Sequence, residues 1–141
     1  MRTRNGACPL AILGGASMAD DRKALGRWGE QYAAEYLQQL GYQLIASGWH
    51  CRWGEIDLIA YDQATLVIIE VRTRRGTAHG SAAESLTLKK RQRLARLLQA
   101  YLQALDAAQT PWLGDYRIDA IAITLSRGQP QLEHFQAISI E

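Results

Sequence analysis

The chain has 141 residues, 48% of them hydrophobic, and a formal net charge of +2. That length and apolar content suit one domain with a real core, and the aliphatic residues cluster in periodic segments, which excludes disorder over most of the chain. No apolar run approaches the roughly 20 residues of a membrane-spanning helix, and Cys8 and Cys51 are too few and too far apart for a disulfide framework or a zinc pattern; a soluble, cytoplasmic protein is expected.

Residues 1–19 read as an extension, and residues 20–141 as the domain. Arg2 and Arg4 precede a short apolar stretch that Pro9 interrupts. This is a poor secretory signal and a better disordered tail, with Met18 an alternative start because the periodic sequence begins just after it. Asp20 and Asp21 are N-cap candidates for a helix running to Leu40 and stopping at Gly41. Its apolar stripe is Leu25, Trp28, Tyr32, Tyr36 and Leu40, with Ala33 and Leu37 beside it. Gly26 and Gly29 cost helix propensity, about 1 kcal/mol each, and invite close approach to another element. Glu30, on the flank of the stripe, leans toward the rest of the fold.

A first strand follows at Tyr42–Ala46, with residues 47–54 as a connection that can extend it. Next, Gly54–Ile59 and Leu66–Arg72 flank a turn-like middle centred on Gln63-Ala64 and read as a β-hairpin. That centre sets Asp57 opposite Glu70 and Glu55 opposite Arg72, all on one face. Directly opposed like charges destabilise a strand pair. A divalent cation between Asp57 and Glu70 removes the objection, because Mg²⁺ is typically held by one or two carboxylates plus waters and substrate phosphate. The alternative is a solvated face where the two acids simply hydrate. A register slip of one residue would separate them.

A polar, glycine-punctuated loop occupies residues 73–81. A second helix starts near Thr87, a plausible N-cap, and ends near Ala107. Its buried stripe is Leu94, Leu97, Leu98, Tyr101, Leu102 and Leu105, with Lys89, Arg93 and Arg96 on a more exposed face. Lys90 stands one turn before Leu94 on the inward side. A cation in a first turn opposes the helix dipole, so either an anion waits there or the lysine snorkels from the stripe's edge. Tyr116–Ile123 and Gln131–Phe135 are two further strands around a turn at residues 126–130. The order is αβββαββ. His50, His79 and His134 lack ligand spacing and read as ordinary residues.

Between Arg72 and Arg96, eight cations (Arg72, Arg74, Arg75, Lys89, Lys90, Arg91, Arg93 and Arg96) face one acid, Glu84. That local excess suits a polyanion; solvated surface charge is the other reading.

An αβββαβ order with an acid in the second strand and Glu-x-basic in the third resembles the PD-(D/E)XK nuclease core, here through Asp57 and Glu70-Val71-Arg72. More closely, Gly29-Glu30 with Ala33, Gly41-Tyr42, Gly54-Glu55-Ile56-Asp57-Leu58-Ile59, Glu70-Val71-Arg72-Thr73-Arg74, Gly80, and Lys90 with Leu94 resemble the bacterial YraN-like family, whose core is Holliday-junction-resolvase-like. The resemblance covers residues 22–125. It implies an α/β restriction-endonuclease-like domain with a central mixed sheet flanked by helices. It further implies Mg²⁺ or Mn²⁺ bound by Asp57 and Glu70 with the Val71 carbonyl, and Glu30 as the helix-one acid of resolvase-like members. Arg72 stands where active nucleases usually carry lysine. Arginine is always charged and cannot act as a base, though it can hold the scissile phosphate, and Lys90 can supply the missing ammonium. No proline precedes the acid; Ile56 does.

Two functions follow as expectations. One is a metal-dependent endonuclease on branched or structured DNA, with Arg74, Arg75, Lys89, Arg93 and Arg96 docking backbone phosphates; a homodimer is allowed. The other is a nucleic-acid- or protein-binding module that keeps the fold without catalysis. A third reading makes the acids a structural ion-pair network with Arg72 and Lys90.

Overall fold

Two helices and five strands form in the order α1 (Met18–Gln39), β1 (Gln43–Cys51), β2 (Gly54–Asp62), β3 (Thr65–Arg75), α2 (Leu88–Ala107), β4 (Asp115–Ser126) and β5 (Gln129–Phe135). The structure is a computed structural model and describes residues 18–76 and 86–139. The extension up to residue 17 and the loop stretch 77–85, with His79, Gly80 and Glu84, lie outside the described residues.

The strands build one mixed sheet in sequence order, β1-β2-β3-β4-β5. All neighbours are antiparallel except β3 and β4, which run parallel. A parallel pair cannot be joined by a tight turn and needs a crossover; α2 lies within that connection. The four consecutive residues Leu66, Val67, Ile68 and Ile69 of β3 are almost fully buried. An unbroken apolar run of this kind is what a strand covered on both faces requires. Even-numbered Leu66 and Ile68 pack with Leu94, Leu97, Leu98 and Tyr101 of α2. Odd-numbered Val67 and Ile69 pack with Ala33 and Leu37 of α1. The fold is therefore an α/β sandwich of one helix, one sheet and one helix.

The second helix has the expected bounds and cap: the Thr87 side chain accepts from the Lys90 backbone N–H at 3.3 Å. The first departs from expectation in three ways. It begins at Met18, so Asp20 and Asp21 lie in its first turn, where acids still complement the dipole, and two residues of the supposed extension are helical. Its core-facing line is Leu25, Gly29, Ala33 and Leu37, rotated from the stripe of larger aromatic residues. Trp28, Tyr32 and Tyr36 are half-buried flanks, and Leu40 lies beyond the helix at 54% exposure. Small residues win the central line because α1 sits very close to β3: a Cβ built on Gly29 would overlap the Thr73 side chain. Gly26 meets nothing comparable. The first strand is also longer than its apolar core suggests, continuing through the connection to Cys51.

Candidate functional site

The hairpin pairs in the register that its turn dictates. Gln63 adopts φ 54° in the turn, and the ladder runs from Asp62↔Thr65 to Leu58↔Ile69. The next position brings Asp57 level with Glu70, and there the pattern changes. Asp57 Oδ2 accepts the Val71 backbone N–H at 2.9 Å, so a carboxylate takes the place of a ladder carbonyl. On the other side of β2, Gly48 at φ 66° falls between the pairs Ser47↔Leu58 and Trp49↔Ile56. Leu58 packs on the α1 side and Ile56 on the α2 side, although they are two residues apart. The strand thus rotates about Asp57, a bulge-like device that re-aims a side chain.

Around Asp57 the acids gather. Carboxylate oxygens of Glu30 (α1), Glu55 and Asp57 (β2) lie within 4.8 Å of one another, a set with the ligand type and spacing for a hard divalent cation. Glu70 adjoins Asp57 from β3, and the Asp57 carboxylate is close enough to act on both Glu30 and Glu70. Burial, and then the Asp57 charge, push the Glu30 carboxyl up to about 7. The same two causes push Glu70 up to about 7, against the pull of Arg93 and Arg72. Burial also raises Asp57, opposed by the Val71 amide. Acids displaced upward together mark a site short of positive charge.

The cations stand on the α2 side. Arg93 Nη2 donates to Glu70 Oε1 at 3.2 Å. Arg72 and Lys90 lie near enough to act on Glu70 and on each other; burial and the Arg72 charge pull the Lys90 ammonium down, with Glu70 opposing. Ala120 and Ala122 of β4 stand beside Glu70 and Arg72 in parallel register, adding little bulk there.

Glu30, Asp57, Glu70, Arg72 and Lys90 thus come together. The set with metal-ligand spacing differs from the expected one. Glu55 joins Glu30 and Asp57, while Glu70 turns to Arg93. Val71 takes part through its N–H, which binds Asp57. The five residues grouped as a phosphate-docking cluster divide. Arg93 belongs to the site, Arg96 stacks on Trp53 at 4.8 Å, and Lys89 is exposed on the first turn of α2. Arg74 and Arg75 line a separate cavity of about 350 Å³ with Asp21, Arg22, Leu25 and Thr73. Two residues take roles other than those expected of them: Glu55, expected on the hairpin face opposite Arg72, and Arg93, expected to dock phosphate. Glu55 is two positions before Asp57 on the same strand, and Arg93 is three after Lys90 on one helix face. A cleft of about 470 Å³ between α1 and β1 opens beside the acids, with Glu30, Arg27, Gln31, Ser47 and Leu58 on its walls.

A second polar cluster, unsuspected from sequence, lies further along the α1 face. Asp119 is fully buried and accepts from Arg117 Nε at 3.0 Å and the Ala137 N–H at 3.0 Å; it is also 2.9 Å from His134 Nε2. Arg117 also donates to Asp62 at 2.9 Å and to the Tyr42 hydroxyl at 2.7 Å. His134 Nδ1 is 3.1 Å from the Tyr36 hydroxyl. Burial alone would raise Asp119; its hydrogen bonds with His134 and Arg117 outweigh that and hold it below the usual carboxylate range. His134, read as ordinary, is a core residue of this network.

Among the described residues no helix is long and apolar enough to cross a membrane. Residues 29–123 match the uncharacterised protein family UPF0102. A UPF0102 protein of Roseiflexus castenholzii is 46% identical over 120 residues, covering 83% of this chain and 94% of that protein. One from Nocardia farcinica is 40% identical over 119 residues, covering 84% and 91%. Another, from Pelotomaculum thermopropionicum, is 42% identical over 121 residues, covering 84% and 98%. The match contains every member of the acid cluster and its basic rim. The chain belongs to the UPF0102, or YraN-like, family.

Proposed function

We propose that the protein is a metal-dependent endonuclease with a PD-(D/E)XK-type core, acting on structured or branched DNA. The observation that carries this reading is the meeting of Glu30, Glu55, Asp57 and Glu70 from three elements, with Arg72, Lys90 and Arg93 along one side. A bound Mg²⁺ or Mn²⁺ would supply a polarised water and a counter-charge for phosphate. Glu30, Glu55 and Asp57 would hold it, each offering a hard oxygen donor.

The remaining roles fall to the rim. Arg72 and Arg93 are permanent cations suited to the non-bridging oxygens of a scissile phosphate and to the charge that grows there. In hydrolysis a water oxygen bonds to phosphorus, a sugar oxygen leaves, and the water's proton must be accepted. Arg72 cannot accept it. Lys90 is the one of the three rim cations whose side chain is chemically able to exchange a proton.

The test is cleavage of linear, single-stranded, flapped and four-way DNA by purified protein with Mg²⁺ and with Mn²⁺. Metal-dependent cleavage that Asp57→Asn abolishes supports the reading. Cleavage surviving Asp57→Asn rejects the metal-site mechanism. Two observations favour a second reading, a nucleic-acid-binding module without catalysis: Glu70 already has a cation, Arg93, and Arg72 stands where active nucleases usually carry lysine. Arg72→Lys separates the two. A catalytic site retains or gains cleavage with lysine; a binding site shows none in either form.

A further inference from the structure

At the β1–β2 turn, Trp53 is 43% exposed. Its ring is flanked by two guanidiniums, Arg52 Cζ at 4.5 Å and Arg96 Cζ at 4.8 Å from the centroid. Arg52 and Arg96 come from different elements, the turn itself and α2, and both are exposed. The ring keeps a large aromatic surface open to solvent at the turn tip, and the two like charges that converge on it repel each other. The arrangement gains its purpose from a partner that is both flat and anionic.

The next residue, Gly54, ties this surface to the acids. A Cβ built on it would lie 3.6 Å from Arg93 Nη1, and Arg93 reaches Glu70. From the carboxylates outward the order is Glu70, Arg93, then Trp53 with Arg96 and Arg52. We infer that Trp53, with Arg52 and Arg96, is a stacking platform for an unpaired nucleobase and its flanking phosphates, holding single-stranded nucleic acid next to the acidic site. Every base offers a π-face, so an aromatic ring framed by cations binds unpaired strand with little sequence preference. A duplex keeps its bases stacked inside and cannot present one to the ring. This rests on the endonuclease reading and narrows its substrate to DNA with an unpaired segment beside the scissile bond.

The experiment measures fluorescence-anisotropy binding of a labelled oligothymidylate and of a blunt duplex, with EDTA present so that no cleavage intervenes. Trp53→Ala is expected to weaken oligothymidylate binding about tenfold, within the range of one lost base stack, and to leave duplex binding unchanged. Trp53→Phe, which keeps a ring, should restore most of the affinity. Arg52→Gln with Arg96→Gln should weaken single-strand binding and flatten its salt dependence. Trp53→Ala binding both probes as wild type does, or losing both equally, overturns the platform; so does a wild type that binds no oligothymidylate. Metal-dependent cleavage that Asp57→Asn abolishes tests the endonuclease reading separately, since binding is measured here without metal. Circular dichroism of each variant checks folding, and a surface turn residue such as Trp53 tolerates the change.

Discussion

Asp119 and the acids around Asp57 meet opposite electrostatic fates. Asp119 is completely buried, yet its carboxyl is held below the usual range, because Arg117, His134 and the Ala137 amide satisfy it. Glu30, Asp57 and Glu70 are less deeply placed, yet all are pushed up. Burial costs both groups. The difference is the placing of donors: the Asp119 network has its cation hydrogen-bonded to the carboxylate, whereas the Asp57 carboxylate takes one amide and the cations Arg93, Arg72 and Lys90 act from the Glu70 margin. A self-satisfied network stabilises a fold. A cluster whose carboxyls are raised together marks a candidate functional site.

Breaking the satisfied side should have the largest effect. Asp119→Ala leaves the half-buried Arg117 guanidinium with Asp62 and the Tyr42 hydroxyl, and should destabilise the fold by about 3 kcal/mol, read from urea unfolding. A loss under about 1 kcal/mol would mean that the network is decorative.

Next is the contact that sets the depth of Glu30. Gly29→Ala adds a Cβ where Thr73 already stands. Overpacking of this kind costs about 1–3 kcal/mol, more than the roughly 1 kcal/mol of helix propensity that alanine returns. Thermal unfolding should drop, and Gly26→Ala, with open space, should instead hold or raise it.

The unsatisfied side should respond in the opposite sense. Asp57→Asn keeps an oxygen for the Val71 amide and removes a charge between Glu30 and Glu70. Metal-free protein should gain stability of order 1 kcal/mol, the equivalent of about one pKa unit relieved. Added Mn²⁺ should raise the unfolding temperature of wild type and leave Asp57→Asn unmoved; equal shifts in both would argue against the cluster as a metal site.

The same contrast should appear as a pH slope. Glu30 and Glu70 rise from 4.5 to about 7 on folding. The native state then binds more protons than the unfolded state between those values. Metal-free stability should therefore fall as pH rises from about 4.5 to about 7. Asp119 has the reverse sign. Its contribution is present above the ordinary carboxylate pKa and is lost as pH falls through its lowered value. Urea midpoints across pH, with EDTA and with Mn²⁺, should show the neutral-side decline only without metal.

The hairpin was legible because its register depends on local facts: a short turn and a strict period of two. The α2 stripe and the Thr87 cap were legible for the same reason. The α1 stripe was misplaced because large aromatic residues carry more apolar weight than glycine and alanine. The helix instead turned its small residues to β3, where only they fit. His134 looked ordinary because its partners, Asp119 and Tyr36, stand 15 and 98 positions away.

From the sequence by itself came the element order, the register of the β2–β3 hairpin and the family. These follow from periodicity and from motifs whose members are close in the chain. Only the tertiary structure decided that Glu55 joins Glu30 and Asp57, that Arg93 reaches Glu70, and that Arg96 crosses to Trp53. Those pairings span the distance between helix and sheet. They depend on a rotation of β2 at Asp57 and on the closeness of α1 to β3, which arise when the layers pack and leave no local pattern in the sequence.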